Sequence, residues 1–168
     1  RPPLTDLSPL AADFRATEMA TTLAIPPGRP LRQVLLDRAP AKEFATRAIS
    51  REAFITLNRL AFRGGTFFPL HPDGPHAALV RPIWIIQNVG DIEPAVWYYH
   101  PVTDQWSVLH QGALPADVGE LTDGNAAMAQ ASAVGFLIAD LTTLMMTGGP
   151  DLYRLAHIEA GIVCNRLS

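Results

Sequence analysis

Glu159 is the residue of this chain best placed for chemistry. Leu152, Leu155, Ala156, Glu159, Ile162, Val163 and Arg166 recur at i, i+3, i+4, i+7 spacing, which puts them on one stripe of a helix. A carboxylate among apolar neighbours must be paired, hydrogen-bonded or protonated. Arg166 is two turns away, about 10 Å by helical rise, too far for a direct pair. Two roles stay open for Glu159: it bonds backbone or an arginine elsewhere, such as Arg81, and holds the helix on a sheet, or it forms part of a ligand pocket. On the same helix Tyr153 offers a phenol, with simple packing its commoner use, and Gly161 permits close approach of another backbone. Cys164, the single cysteine, reads as a small buried hydrophobe.

The histidines are less specific. His71, His76, His100 and His110 match no helical His-x-x-x-His or finger-like spacing, so no metal site is expected. His71 and His76 lie in a Pro- and Gly-rich loop, where they either hydrogen-bond a ligand and titrate near neutrality or face solvent. Trp97-Tyr98-Tyr99, with Trp84 and Trp106, forms an aromatic group. Strand alternation puts Trp97 and Tyr99 on one face and Tyr98 on the other. Cross-strand and core packing is the commoner use of such a strip, stacking on a ligand the rarer one.

These residues need elements to position them. Residues 1–30 carry Pro2, Pro3, Pro9, Pro26, Pro27 and Pro30 and read as an arm draped over a surface, with a short helix from Asp13 to Leu23. Residues 31–168 read as one domain. Leu31 to Leu36 is a short helix. Ser50 caps a helix from Arg51 to about Arg63, whose apolar residues are Phe54, Leu57, Leu60 and Ala61 and which Gly64-Gly65 ends. Strands follow at Ile83 to Val89, Ala95 to His100 and Trp106 to His110, the last two as a hairpin. Ala126 to Ala131 is a short helix. Ala133 to Ala139 is a continuous apolar run of the kind found in central strands. Met145 to Pro150 reads as a loop, and the terminal helix starts at about Leu152. Helices flanking mostly antiparallel strands make the class α+β.

Composition sets the outer limits. At 168 residues, 48% hydrophobic and 17% charged, the chain is long and apolar enough for a single core without disulfides. A net charge of -3 without a basic stripe argues against nucleic acid as a partner. No apolar run reaches the roughly 20 residues of a membrane span. One cysteine fits a reducing cytoplasm.

Four segments resemble the nitroreductase-like flavin enzymes, and within them the SagB-type branch of azoline dehydrogenases, also called thiazole/oxazole oxidases. They are Arg38-Ala-Pro-Ala-Lys42-Glu-Phe44, Ala77-Ala-Leu-Val-Arg-Pro-Ile-Trp-Ile-Ile86, Val89-Gly-Asp-Ile-Glu-Pro-Ala-Val-Trp-Tyr-Tyr-His-Pro101 and Tyr153-Arg-Leu-Ala-His-Ile-Glu-Ala-Gly-Ile162. The last is close to the branch's Tyr-Arg-Tyr-x-Leu-Leu-Glu-Ala-Gly-His. The resemblance implies a nitroreductase-like α+β fold, bound FMN, and a homodimer or a pairing with a second nitroreductase-like domain. It implies a peptide or heterocycle as substrate, with the flavin ring as the redox centre.

By the same resemblance Arg38 and Lys42 contact the FMN phosphate, His76 lies on the loop near the flavin ring, and Glu159 belongs to the flavin or substrate pocket. The departures are also specific. Ala39 and Pro40 stand where the branch has an arginine and a serine, and Thr147 and Gly148 stand where it has a Lys-Tyr pair linked to proton transfer. Ile162 replaces the motif's final histidine. The terminal pattern is still running at Ser168, so the domain is expected to be incomplete at its C-terminus. Two functions are carried forward: an FMN-dependent oxidoreductase, in particular a peptide azoline dehydrogenase, with no catalytic residue assigned; and a non-catalytic domain that serves an active flavin domain as structural or peptide-binding partner.

Overall fold

The computed structural model describes residues 16–17, 28–37, 44–62, 79–101, 103–112 and 115–168. Its elements in chain order are β1 (Ala16–Thr17), α1 (Leu31–Asp37), α2 (Arg51–Phe62), β2 (Arg81–Ile86), β3 (Ala95–His100), β4 (Gln105–Gln111), α3 (Pro115–Leu121), α4 (Ala126–Ala129), β5 (Ala133–Ile138) and α5 (Leu141–Leu167). The strands form one antiparallel sheet in the order β1-β4-β3-β2-β5. The expected α+β class is the observed one.

Alternation along the strands creates two faces with different coverings. Trp84, Trp97, Tyr99 and Trp106 point to one face and are at most 8% exposed. Phe54 of α2 sits edge-on to Trp84 at 5.1 Å and tilted to Trp106 at 5.5 Å, and Phe62 sits edge-on to Tyr99 at 5.8 Å. Val163 of α5 joins this core. On the opposite face Ile85 and Val134 pack with Val118 of α3 and Ala131. The aromatic strip is therefore core, with Tyr98 on the other face as alternation requires.

Helix α2 starts where its cap was expected: the Ser50 hydroxyl accepts the Ala53 N–H at 3.1 Å. Its buried side differs from the expected one. Phe54, Ile55, Asn58, Ala61 and Phe62 face the sheet, while Leu57 and Leu60 are 36% and 44% exposed. Asn58 is buried with its amide N–H donating to the Phe54 carbonyl at 2.9 Å, while its Oδ1 accepts no hydrogen bond among the described residues.

Three further expectations need correction. Within Asp13 to Leu23 the described pair Ala16–Thr17 is a strand against β4, with Ala16 opposite Ser107, rather than helix. Strand β5 is paired on one side only among the described residues, to β2, so it stands at the sheet's edge. Its apolar run reflects partial contacts on both faces, with Ala133 and Leu137 on the α2 side and Val134 and Phe136 on the α3 side, while Ile138 stays exposed. At Gly135 a side chain would strike the Trp84 ring, with a Cβ at 2.7 Å, so only glycine lets the indole lie across the strand. Finally, the loop expected over Met145 to Pro150 is a kink inside α5. Gly149 takes φ 61°, ψ -151°, and helix resumes at Pro150, which needs no N–H partner there.

The Asp140 carboxylate caps α5, accepting the Thr143 N–H at 3.0 Å and the Thr143 hydroxyl at 2.7 Å. These bonds, the backbone one foremost, hold its pKa below the usual carboxylate value. The charged cap is thus present at neutral pH and is lost only as pH falls through that lowered value.

One polar contact ties α2 to the β3–β4 hairpin. Arg59 Nε donates to both Asp104 oxygens, at 3.0 and 2.8 Å, and the Tyr99 hydroxyl donates to Asp104 Oδ1 at 2.9 Å. Asp104 occupies the hairpin turn at φ 57°, a conformation that Asp and Asn tolerate best among non-glycine residues. Asp104→Asn keeps the turn but removes the charge, and is expected to lower unfolding free energy by roughly 1–3 kcal/mol in denaturant melts, with Tyr99→Phe costing about 1 kcal/mol.

Candidate functional site

The second half of α5 buries Leu152, Ala156, Glu159 and Val163, the centre of the stripe read from the sequence. Leu155 and Ile162 are half-buried at its margins, and Arg166 is exposed with its guanidinium donating to the Ala61 carbonyl of α2 at 3.4 Å. Glu159 is 6% exposed, and its Oε2 accepts the Leu79 backbone N–H at 3.1 Å. The bond spans 80 residues of sequence and fastens the approach to β2 against α5. Leu79 and Val80 then pack with Leu144, Leu152 and Ala156.

Directly beside this clamp is a cavity of about 240 Å³. Val80 forms one wall. Leu137, Ala139 and Leu141, from the end of β5 and the start of α5, form another. Tyr153, Ala156, His157 and Ala160 line the third. Three alanines, Val80, Leu137 and Leu141 make the lining mostly apolar. The polar atoms come from Tyr153 and His157, one turn apart, whose rings meet edge-to-face at 4.6 Å. Such an arrangement can hold a planar ring by apolar contact and hydrogen-bond its rim.

The structure brings together only part of the expected set. Arg38, Lys42, His71 and His76 lie outside the described residues. Glu159 is present as the clamp behind the cavity wall. Tyr153 lines the cavity and is 40% exposed, rather than packed away. Cys164 is exposed, not the buried hydrophobe expected, because it falls just off the stripe that meets the sheet. Gly148 lies immediately before the kink, and a Cβ there would come within 2.3 Å of Leu152 Cγ. His157 was not singled out from the sequence, although two signals mark it: it stands one turn after Tyr153, and it occupies a leucine position of the Tyr-Arg-Tyr-x-Leu-Leu-Glu pattern.

No protein-family model matches the chain, and none of the curated proteins does. Solved structures do match in fold. A candidate nitroreductase from Anabaena variabilis superposes with a TM-score of 0.71 at 18% identity, over 82% of this chain and 29% of the other. A chain of the E. coli microcin synthetase McbBCD complex with truncated pro-MccB17 bound superposes with a TM-score of 0.58 at 12% identity, over 98% of this chain and 65% of that one. The fold is therefore nitroreductase-like. The chain spans less than a third of the first protein and about two thirds of the second.

Glu159→Ala removes the acceptor of a buried N–H and is expected to cost about 2–3 kcal/mol of stability, whereas Glu159→Gln, which keeps a carbonyl oxygen, costs less. Hydrogen exchange at the Leu79 amide provides the local check: it should accelerate in Glu159→Ala well beyond what the global loss explains.

Proposed function

We infer that the chain forms the ring-holding part of a nitroreductase-like FMN oxidoreductase that acts on a heterocycle within a peptide. The observation that carries this reading is the apolar cavity beside the Glu159–Leu79 clamp, in a nitroreductase-like fold. Its volume of about 240 Å³ lies below the roughly 300–1,000 Å³ of whole small-molecule sites. It suits the ring end of a flavin or a substrate heterocycle, and the phosphate end falls to Arg38 and Lys42, whose charges match it.

Bound FMN would supply the hydride-accepting chemistry. The chain's own residues do the remaining work. Val80, Ala156 and Ala160 exclude water from the ring faces, Tyr153 and His157 offer hydrogen bonds at the rim, His76 is assigned to the flavin by the family resemblance alone, and Glu159 keeps the wall in place. Leu141, Met145, Met146, Tyr153 and Ile158 leave an apolar surface exposed along α5. That surface supports pairing with a second copy or a second nitroreductase-like domain.

A second reading has its own observation. The tight approach of Leu152 to Gly148 leaves little space for a side chain where the related branch carries its Lys-Tyr pair. A non-catalytic domain that binds peptide and supports an active flavin domain accommodates that loss.

Titration of the purified chain with FMN, followed by flavin fluorescence and the visible spectrum, separates the two. The oxidoreductase reading expects saturable quenching, with Arg38→Ala weakening affinity about tenfold, as for one charge-assisted phosphate contact. A chain that takes up no FMN at any accessible concentration contradicts that reading and leaves the partner-domain one.

A further inference from the structure

The face of the sheet opposite the aromatic core carries a polar group that neither reading uses. Ile83 pairs with Tyr98 and Tyr98 with Ser107, so these three form one row across β2, β3 and β4. Continuing the same register by two residues brings Arg81 of β2 opposite His100 of β3, which itself pairs with Gln105. Arg81, Tyr98, His100 and Ser107 therefore share one face at one end of the sheet. The Arg81 charge acts on both the Tyr98 phenol and the His100 ring. The Tyr98 and His100 rings meet at 4.1 Å and 67°, and His100 Nε2 is 3.1 Å from the Ser107 hydroxyl.

Two cation-forming groups opposite each other on neighbouring strands repel, which is an unfavourable pairing unless something offsets it. Among the described residues Arg81 makes no ion pair. The Asp140 carboxylate senses its charge, and it also accepts from the Thr143 N–H and hydroxyl at the start of α5. Burial, and then the Arg81 charge, push the His100 pKa below the ordinary histidine value. Burial raises that of Tyr98, opposed by Arg81, so its hydroxyl keeps its proton as a donor. In the tautomer where His100 Nε2 accepts from Ser107, its Nδ1–H is a further donor. The group thus combines a planar cationic fork with phenol and imidazole donors.

We propose that Arg81, Tyr98 and His100 form a binding site for an oxyanion, the carboxylate or phosphate group of a ligand. Arg81 engages two oxygens through its fork, the geometry that makes arginine the usual partner of planar and tetrahedral oxyanions. Tyr98 orients the guanidinium and donates alongside it. His100 donates from the adjacent strand, held in place by Ser107. None of Arg81, Tyr98 and His100 lines the cavity beside Glu159, so titration with phosphate or acetate alone reads this site and not the ring pocket.

The experiment is an NMR titration of the whole chain, with labelled histidine, against inorganic phosphate, against acetate, and against sodium chloride at matched ionic strength. Saturable movement of the His100 ring signals with phosphate, accompanied by a rise in its pKa, supports a phosphate-type ligand. The same response to acetate supports a carboxylate. Arg81→Gln, at an exposed position where loss of folding is not expected, should weaken the response about tenfold, and Tyr98→Phe should weaken it less. Shifts that merely track ionic strength and are equal in sodium chloride overturn the proposal. So does a saturable response that survives Arg81→Gln unchanged.

Discussion

The site is anchored by the hydrogen bond that Glu159 accepts from the Leu79 N–H. A carboxylate buried in a helix stripe is costly unless bonded, and a backbone N–H buried next to a strand is costly unless accepted. Each group solves the other's problem across 80 residues of sequence. The consequence reaches beyond stability. The bond fixes where Val80 stands relative to Ala156 and Ala160, and the space between these residues is the cavity. An apolar residue at position 159 would pack, but it would leave the entry to β2 without its anchor.

The remainder of the fold keeps that anchor in register. Trp84 lies across Gly135, which locks β5 against β2 and so positions Leu137 and Ala139 at the cavity. Phe54 and Phe62 bind α2 to the aromatic strip, and the Arg59–Asp104–Tyr99 contact holds the hairpin beneath the same helix. The kink at Gly149 lets α5 present Leu141 on one side of the cavity and Tyr153 on another. Small residues at a few positions therefore control the shape of the pocket, and the aromatic core, which does not line it, holds the sheet behind it.

Much of this was legible in the chain. Period-3.6 spacing exposed the buried stripe of α5, period-2 alternation divided Trp97 and Tyr99 from Tyr98, and Ser50 marked the start of α2. The failures have physical causes. Leu57 and Leu60 looked like core because hydrophobicity alone cannot say which of two overlapping stripes meets the sheet, and Asn58, a polar residue buried with its amide N–H on the Phe54 carbonyl, hid the correct one. The apolar run of β5 reported contacts on both faces, which says nothing of how many edges are paired. The pairing of Arg59 with Asp104 and the partner of Glu159 arise from chain reversal over tens of residues, for which local spacing holds no signal. His157 was visible only as a departure from a motif, and Arg81 with His100 only once the strand register was known.

The central claim is that the cavity between Val80 and the Tyr153–Ala160 turn of α5 receives a flavin-sized ring. Amide and methyl chemical-shift mapping on addition of FMN tests it most directly. The account predicts that the largest changes cluster at Val80, Leu137, Tyr153, His157 and Ala160, with little change on the aromatic core face. Binding that leaves those residues unmoved and perturbs another surface would contradict it.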